Sequence, residues 1–580
     1  MLHRWSRSFY RFTVFLGLFG IIALLSCSGR QTSQETAPNT TFVQANTQFD
    51  DGFGYSIALS TDGGTLAVGA TGESSLATGI NGNQTDNSAE SAGAVYLFTH
   101  SSAGQAQQAY VKASNTKPYD FFGQAIALSA DGGTLAVGAP GESSIATGID
   151  GNQSDNSVPD AGAVYVFTRS NTGWSQIAYV KASNPGSRDG FGLSVALSAD
   201  GSTLAVGAPG ENSVATGIDG NQRDNSAESA GAVYLFTRSG TGWLQQAYVK
   251  PSNTESHDFF GRSVALSTDG ATLVVGAPGE SSSSTGIGGD QTNNLAPGAG
   301  AIYLFARSST GWSQQAYVKP SNTGGSDGFG QSVALSIDGA TIAVGAPGES
   351  SLATGIGGNQ ADNSAPGAGA VYLFSHSNAG WSQQVYVKAS NTEPYDFFGR
   401  SLALSADGTI LTVGAIGESS IGGNQRDNSA DSAGAVYLFA RSNAGWSQQA
   451  YVKPSNPGGS DGFGQSVALS ADGSTLTVGA MGESSLAVGI NGNQIDDSGP
   501  GTGAAYLFSR NSSEWSQQAY VKPSNTGGSD GFGQAVALGG AGLVGKTPSS
   551  SVSRKEVDSS EKFVALAKEI RPSTRRRIST

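Results

Sequence analysis

Three acidic positions recur through this chain in a fixed order. The first is an aspartate two residues before a phenylalanine, at Asp51, Asp120, Asp189, Asp258, Asp327, Asp396, Asp461 and Asp530. The second is a glutamate 22 residues further on, at Glu73, Glu142, Glu211, Glu280, Glu349, Glu418 and Glu483. The third lies in a polar run, at Asp86, Asp155, Asp224, Asp362, Asp427 and Asp496, with Asn293 in that place in the fourth set. Hard oxygen ligands gathered in this way suit Ca²⁺, which takes six to eight oxygens. Converging carboxylates also raise one another's pKa unless a cation or hydrogen-bond donors intervene. The competing role is structural, because Asp, Asn and Ser bond to nearby backbone and stiffen long loops. No D-x-[DN]-x-[DN]-G run with a spaced Glu is present, so Ca²⁺ and a backbone-bonded loop both stand as readings.

Other chemistry is sparse. The histidines, His3, His100, His257 and His376, have no metal spacing, and His100 and His376 read as exposed turn residues. No G-x-S-x-G occurs, and G-A-G-A-V-Y lacks the third glycine and the helix of a dinucleotide loop. Trp174, Trp243, Trp312, Trp381, Trp446 and Trp515 suit either a sugar-stacking platform or packing anchors at hairpin corners. Lys112, Lys181, Lys250, Lys319, Lys388, Lys453 and Lys522 read as charges on outer strands that discourage edge-to-edge pairing.

The elements that must carry these residues follow from a repeat. A Phe-Gly pair falls at Phe53, Phe122, Phe191, Phe260, Phe329, Phe398, Phe463 and Phe532, in steps of 69 residues except for one of 65. Such a period signals stacked structural units. Within one unit, residues 332–336 and 341–346 alternate large and small side chains as strands do, and Asp338-Gly339 supplies a hairpin turn between them. A polar loop of about twenty residues leads to a third strand at 369–374, and a shorter turn to a fourth at 381–388. The spacing predicts four antiparallel strands of about five or six residues. Because the hairpin makes strands one and two start and finish together, Asp327 and Glu349 should share one edge. Mixed bulky and small faces require sheets stacked on both sides, which favours a ring of four-stranded blades over a linear solenoid. The fold class is therefore all-β, a seven-bladed β-propeller of four-stranded antiparallel blades.

F-G followed by V-G-A-P resembles the FG-GAP signature of bacterial FG-GAP repeat proteins and, more distantly, the integrin α propeller. The resemblance covers residues 51–538 and implies seven blades with the first strand nearest the axis. Integrin-type repeats carry Ca²⁺ between strands one and two; here that turn holds one acid, as at Asp200 and Asp407, so this argument for calcium does not carry over. In repeat six the run after Glu418 is four residues shorter than after Glu349, and the missing residues are expected from the exposed loop between strands two and three.

The ends differ from the repeats. Arg4, Arg7 and Arg11 precede an apolar run at 12–25, too short for a comfortable membrane span, which ends L-L-S-C at Cys27, the single cysteine. This resembles a bacterial lipobox with Cys27 lipidated; Ser28 points towards the outer membrane or cell surface, and a periplasmic or secreted protein is the alternative. Residues 1–26 read as a signal peptide, 27–40 as a flexible tether and 41–540 as the propeller. Residues 541–580 carry nine Lys or Arg against four Asp or Glu and read as a basic, disordered tail left by a disrupted reading frame, with a tail for an anionic surface as the alternative. Residues 41–46 match a fourth strand and Phe532 begins a spare first strand, yet the inventory favours seven blades over eight. The net charge of −14 argues against nucleic acid. Function is expected to be non-catalytic: a monomeric, envelope-anchored binding or adhesion platform whose protein or glycan ligand meets the face bearing the 2–3 and 4–1 loops. A structural envelope scaffold and a hydrolase using the acidic rim are the alternatives; near-identical repeats speak against the asymmetric constellation an enzyme needs.

Overall fold

Each repeat forms one complete sheet. In repeat five the strands are Ser332–Leu335, Thr341–Ala346, Ala370–Ser377 and Gly380–Val387, hydrogen-bonded in sequence order. Val333 faces Val344, Val344 faces Tyr372, and Tyr372 faces Tyr386. The computed structural model describes residues 24–26, residues 51–539 apart from 102–103, 241, 512–513 and 524–527, and residues 562–564. Among them are seven four-stranded antiparallel sheets and one three-stranded sheet joining Leu24–Ser26, Lys562–Val564 and Leu538–Gly539. Cys27, the proposed tether, the strand expected at 41–46 and nearly all of the basic tail lie outside the described residues. Phe532 does not open a further blade: after its single bridge to Gly503, Leu538–Gly539 pairs with Lys562–Val564.

The third and fourth strands are eight residues long, longer than expected. Their polar ends continue the ladder past a bulge at Leu373/Phe374 to a tight turn between Ser377 and Gly380. His376 thereby lies within strand three, beside Trp381, instead of in a turn.

The core is divided among the junctions between blades. One face of blade five (Ile342, Val344, Tyr372, Phe374) packs on Val274, Ile302 and Leu304 of blade four. Its other face (Ala343, Val371, Leu373) meets Leu411, Val413 and Tyr437 of blade six. Seven such clusters join seven pairs of neighbours. The seventh unites blade seven, through Ala468, Ala505 and Leu507, with Ile57, Val68 and Tyr96 of blade one, so the sheets close into a propeller. Phe532, Val536 and Ala537 are buried in that seam. The first strands of successive blades lie side by side nearest the axis.

The repeating glycines are demanded by this closeness. A Cβ on Gly345 would stand 2.2 Å from the carbonyl oxygen of Gly399 in blade six, where Ser332 Oγ already donates a hydrogen bond of 2.7 Å. Gly399 itself has φ +94°, a conformation that glycine adopts without penalty. The V-G-A of one blade and the F-G of the next are thus two halves of one contact.

The four residues absent from repeat six come from its 2–3 loop, since all four strands keep the lengths seen in blade five. The loss has a local effect. In the other six blades an isoleucine of this loop, such as Ile356, bridges the fourth strand at Val387; among the described residues blade six has no such bridge.

Candidate functional site

The repeated glutamate is the hub of a buried network. Glu349 Oε2 accepts from Lys388 Nζ at 2.7 Å, and Oε1 accepts from the Tyr386 hydroxyl at 3.0 Å. Oε1 also accepts from Asn322 Nδ2 at 2.8 Å, and Asn322 belongs to the loop leaving blade four. Asn322 Oδ1 in turn accepts from the Tyr372 hydroxyl at 2.6 Å. The same Asn–Glu bond crosses six junctions, at Glu142, Glu211, Glu280, Glu349, Glu418 and Glu483. Glu73 of blade one holds Lys112 and Tyr110.

The lysines therefore do not guard open edges. Lys112, Lys181, Lys250, Lys319, Lys388 and Lys522 are buried, and Lys453 has a side chain 4 % exposed. The reason lies in the 2–3 loop, which folds over the fourth strand: Lys388 N donates to Gly355 O, and Gly357 N donates to Tyr386 O. A covered edge needs no charged deterrent, and the lysine turns inward to its glutamate. Burial lowers the Lys388 pKa, with Glu349 opposing that shift.

The aspartate before each F-G pair does lie at the same edge as the glutamate. Gly348 N donates to Asp327 O at 3.0 Å, and the Glu349 charge acts on the Asp327 carboxyl. Asp327 is buried and accepts from Gly324 N, three residues back, at 2.7 Å. Burial pushes its pKa up to about 7, with Glu349 adding to the rise and the Gly324 bond opposing it. Asp120, Asp189 and Asp461 are likewise raised to about 7, and Asp258 and Asp396 to about 8, burial leading in each. Asp51 is buried at the corresponding place.

The loop acid stays apart from this pair. Asp362 is half-buried and accepts from Ser364 N at 3.0 Å; Asp86 accepts from Leu76 N and Ser88 N. Asp155, Asp224, Asp427 and Asp496 each accept from the backbone nitrogen two residues on. Asn293 does similar work for Ser283 N, as a neutral amide can when the task is to accept from backbone. The three acids thus have separate duties, and no group of three His, Cys, Asp or Glu among the described residues is placed to hold a metal ion. The expected convergence stops at the Asp–Glu pair.

The tryptophans act as packing anchors. Trp174, Trp243 and Trp312 are buried, and Trp174 Nε1 donates to Gln108 on the fourth strand of the preceding blade.

One feature that the repeat count conceals is an alternation in the 4–1 loop. Blades one, three, five and seven read D-G-F-G, whereas blades two, four and six read D-F-F-G. Phe121, Phe259 and Phe397 occupy the glycine's place with φ of 54°, 55° and 54°, matching Gly190 and Gly328 at 62° and 64°. Two residues earlier stand Tyr119, His257 and Tyr395, also at positive φ. Each pair of rings lies 6.2 to 6.5 Å apart, and Tyr119, Phe259 and Tyr395 are 49, 38 and 61 % exposed. Tyr119 hydrogen-bonds Glu90.

FG-GAP repeats match at residues 106–167, 174–236, 243–305, 312–374, 381–439 and 446–508. Each match starts on the fourth strand of one blade and ends on the third strand of the next, so the six matches are the six consecutive junctions. No curated protein matches the chain. Among solved structures, the periplasmic gluconolactonase PpgL of Pseudomonas aeruginosa is 16 % identical, over 76 % of this chain and 95 % of its own, with a TM-score of 0.39. Hydrazine synthase of Kuenenia stuttgartiensis is 16 % identical over 75 % of this chain and 95 % of its own, at 0.41, and Sqt1 of Chaetomium thermophilum is 14 % identical over 78 % and 81 %, at 0.41. These likenesses are too distant to bear on activity. With FG-GAP matches over more than half of its length and the F-G to V-G-A contact repeated from blade to blade, the chain belongs to the FG-GAP repeat family.

Proposed function

We propose that this propeller is a non-catalytic binding platform, anchored to the cell envelope by a lipid on Cys27, that meets a glycan through the face carrying its 2–3 and 4–1 loops. The observation that supports this is the display of Phe121, Phe259 and Phe397 in a left-handed backbone conformation on alternate blades. A left-handed residue with a side chain costs about 1–2 kcal/mol relative to the right-handed form, and strain of this kind gathers at ligand-binding sites. Here it presents partly exposed aromatic pairs at three places around one face, and aromatic rings stack on the flat apolar faces of sugars. A catalytic use of the repeated acids is disfavoured by their occupations: the glutamates hold lysines, the loop acids hold backbone, and the aspartates are buried.

The face is tested with Phe121→Gly/Phe259→Gly/Phe397→Gly on a glycan and protein array. The variant should melt at the same temperature as the wild type or higher, because glycine relieves the backbone strain. It should lose at least about tenfold in affinity, which corresponds to about 1.4 kcal/mol, within the summed contribution of three aromatic contacts of about 0.5–1.5 kcal/mol each. Unchanged binding would refute the reading, and signals confined to protein spots would replace the glycan with a protein ligand. The anchor is tested separately: Cys27→Ala should abolish incorporation of labelled fatty acid and release the protein from membranes, and labelling that persists in the variant rules the anchor out.

A further inference from the structure

Among the described residues, the fourth strand of blade six is the one outer edge that the chain's own 2–3 loop leaves uncovered. In the six other blades that loop makes a short antiparallel bridge along the strand, as Ile356 does on Val387. Two main-chain hydrogen bonds flank the bridge: Lys388 N donates to Gly355 O at 2.8 Å, and Gly357 N donates to Tyr386 O at 2.9 Å. Repeat six lacks the four residues equivalent to 352–355, and Ile421, which follows the gap, makes no bridge. Lys453 N and Tyr451 O are therefore without a hydrogen-bond partner among the described residues. Burial follows the same difference. Tyr451 is half-buried, whereas its counterparts in the six other blades are buried. The Lys453 side chain is almost wholly enclosed while the residue as a whole is half-buried, so its accessible surface lies on the main chain.

Beside this edge the junction between blades six and seven opens into a cleft of about 500 Å³. Tyr451, Val452 and Lys453 line one side, and Phe508, Trp515 and Gln517 the other. At the preceding junction the matching space takes an aliphatic side chain: Ile356 packs in one cluster with Phe439 and Trp446, the counterparts of Phe508 and Trp515. Ile80, Ile149 and Ile218 pack likewise at the first three junctions. No loop isoleucine joins the cluster between blades six and seven. Trp515 does not close the space either. It is half-buried and its indole N–H makes no hydrogen bond among the described residues, whereas Trp174 is buried and bonded across the junction to Gln108. Gln449, the counterpart of Gln108, donates instead to Ser447 on its own strand. An unpaired strand edge is a template for a further strand. A peptide added there gains affinity from main-chain hydrogen bonds and specificity from pockets for alternate side chains.

We propose that this edge docks an extended segment of a partner protein, bearing an aliphatic side chain beside glycine, which lies antiparallel to residues 451–453 as a fifth strand of blade six. The other blades specify that chemistry, because each fills its own edge with Gly-Ile followed by Asn, Asp or Gly, as in Gly79-Ile80-Asn81 and Gly355-Ile356-Gly357. The segment's carbonyl accepts from Lys453 N, its N–H donates to Tyr451 O, and its aliphatic side chain enters the cleft against Phe508 and Trp515. The described terminal strands of the chain are engaged elsewhere, Lys562–Val564 pairing with both Leu24–Ser26 and Leu538–Gly539. The site is separate from the aromatic pairs of the loop face, and neither reading depends on the other.

The test supplies the absent segment in trans, as a peptide copying residues 351–360, added to the full chain up to about 1 mM. Amide hydrogen exchange at residues 451–453 should be fast in the free chain and slow saturably with peptide. The same peptide with N-methylglycine in place of Gly357 lacks the donor to Tyr451 O and should bind about tenfold more weakly. Insertion of Leu-Ala-Thr-Gly between Ser420 and Ile421 restores the loop length of repeat five. That variant should protect the Lys453 amide without peptide, melt at an unchanged or higher temperature, and lose about tenfold or more in peptide affinity. Absence of saturable protection in the wild-type chain, which requires no variant, overturns the proposal. So does a Lys453 amide already protected in the free chain, or equal binding by the N-methylated peptide or by the insertion variant. A wild-type chain that sediments as a dimer and returns to monomer with peptide overturns the outside partner in favour of a second copy.

Discussion

Lys388→Met should destabilise the propeller by about 3–5 kcal/mol, the usual consequence of leaving one member of a buried ion pair without its partner. Glu349 is 1 % exposed and cannot rotate into water, and Lys388 is 0 % exposed. The Tyr386 hydroxyl and Asn322 amide would still donate to Glu349, but neither carries a charge. Damage should reach blade four, because Asn322 belongs to its exit loop and also holds the Tyr372 hydroxyl. Lys388→Met with Glu349→Gln removes both charges and keeps an acceptor for Asn322, so the double variant should recover most of the loss. Urea denaturation of the two variants and the wild type measures this coupling. A single variant within about 1 kcal/mol of wild type, the scale of exposed pairs, would mean that Lys388 is not buried against Glu349.

Stability should also fall as pH rises from about 4 to about 8. Asp120, Asp189, Asp327 and Asp461 are held at about 7 and Asp258 and Asp396 at about 8 in the folded chain, above the 3.8 of an ordinary aspartate. Between those values the folded state binds more protons than the unfolded one, so each aspartate's contribution is complete below about pH 4. That contribution declines by up to about 1.4 kcal/mol per pH unit and levels off once the folded group has titrated. The buried lysines, whose pKa values are lowered, act in the opposite direction, gaining stability with pH where they themselves titrate. Melting temperatures at constant ionic strength from pH 5 to 9 should therefore decline towards pH 8. Asp258→Asn should shallow the slope, because an amide still accepts from Glu255 N but cannot ionise. A melting temperature that climbs between pH 5 and 8 would contradict the assignment of these groups as protonated in the fold.

Much of this architecture could be read from one repeat. The period gave seven blades, the Asp-Gly hairpin put Asp327 beside Glu349, and the shortened run after Glu418 located the trimmed loop. The lysines resisted the same reasoning. Lys388 follows an alternating strand and looks solvated, because its partner Glu349 lies 39 residues away in sequence and Asn322 belongs to another blade. Contacts between repeats leave no trace in the periodicity within a repeat. The alternation of D-G-F-G with D-F-F-G was visible in the chain, but its meaning needs the backbone: only the φ of Phe397 shows that the aromatic stands where glycine would be at ease.

The closing seam carries a topological consequence. Among the described residues every blade is built from one continuous stretch of chain and no strand is exchanged between blade seven and blade one; the side chains of residues 532–537 fill the join. Six junctions unite residues about 70 apart and the seventh unites residues about 480 apart, yet loop-closure entropy grows only with the logarithm of length, a difference of roughly 1.7 kcal/mol. A burial of the size made by Phe532 and Val536 offsets that difference. The order of assembly is then set by the chain's own connectivity: adjacent blades can dock as soon as both exist, and the seam must wait for the last of them.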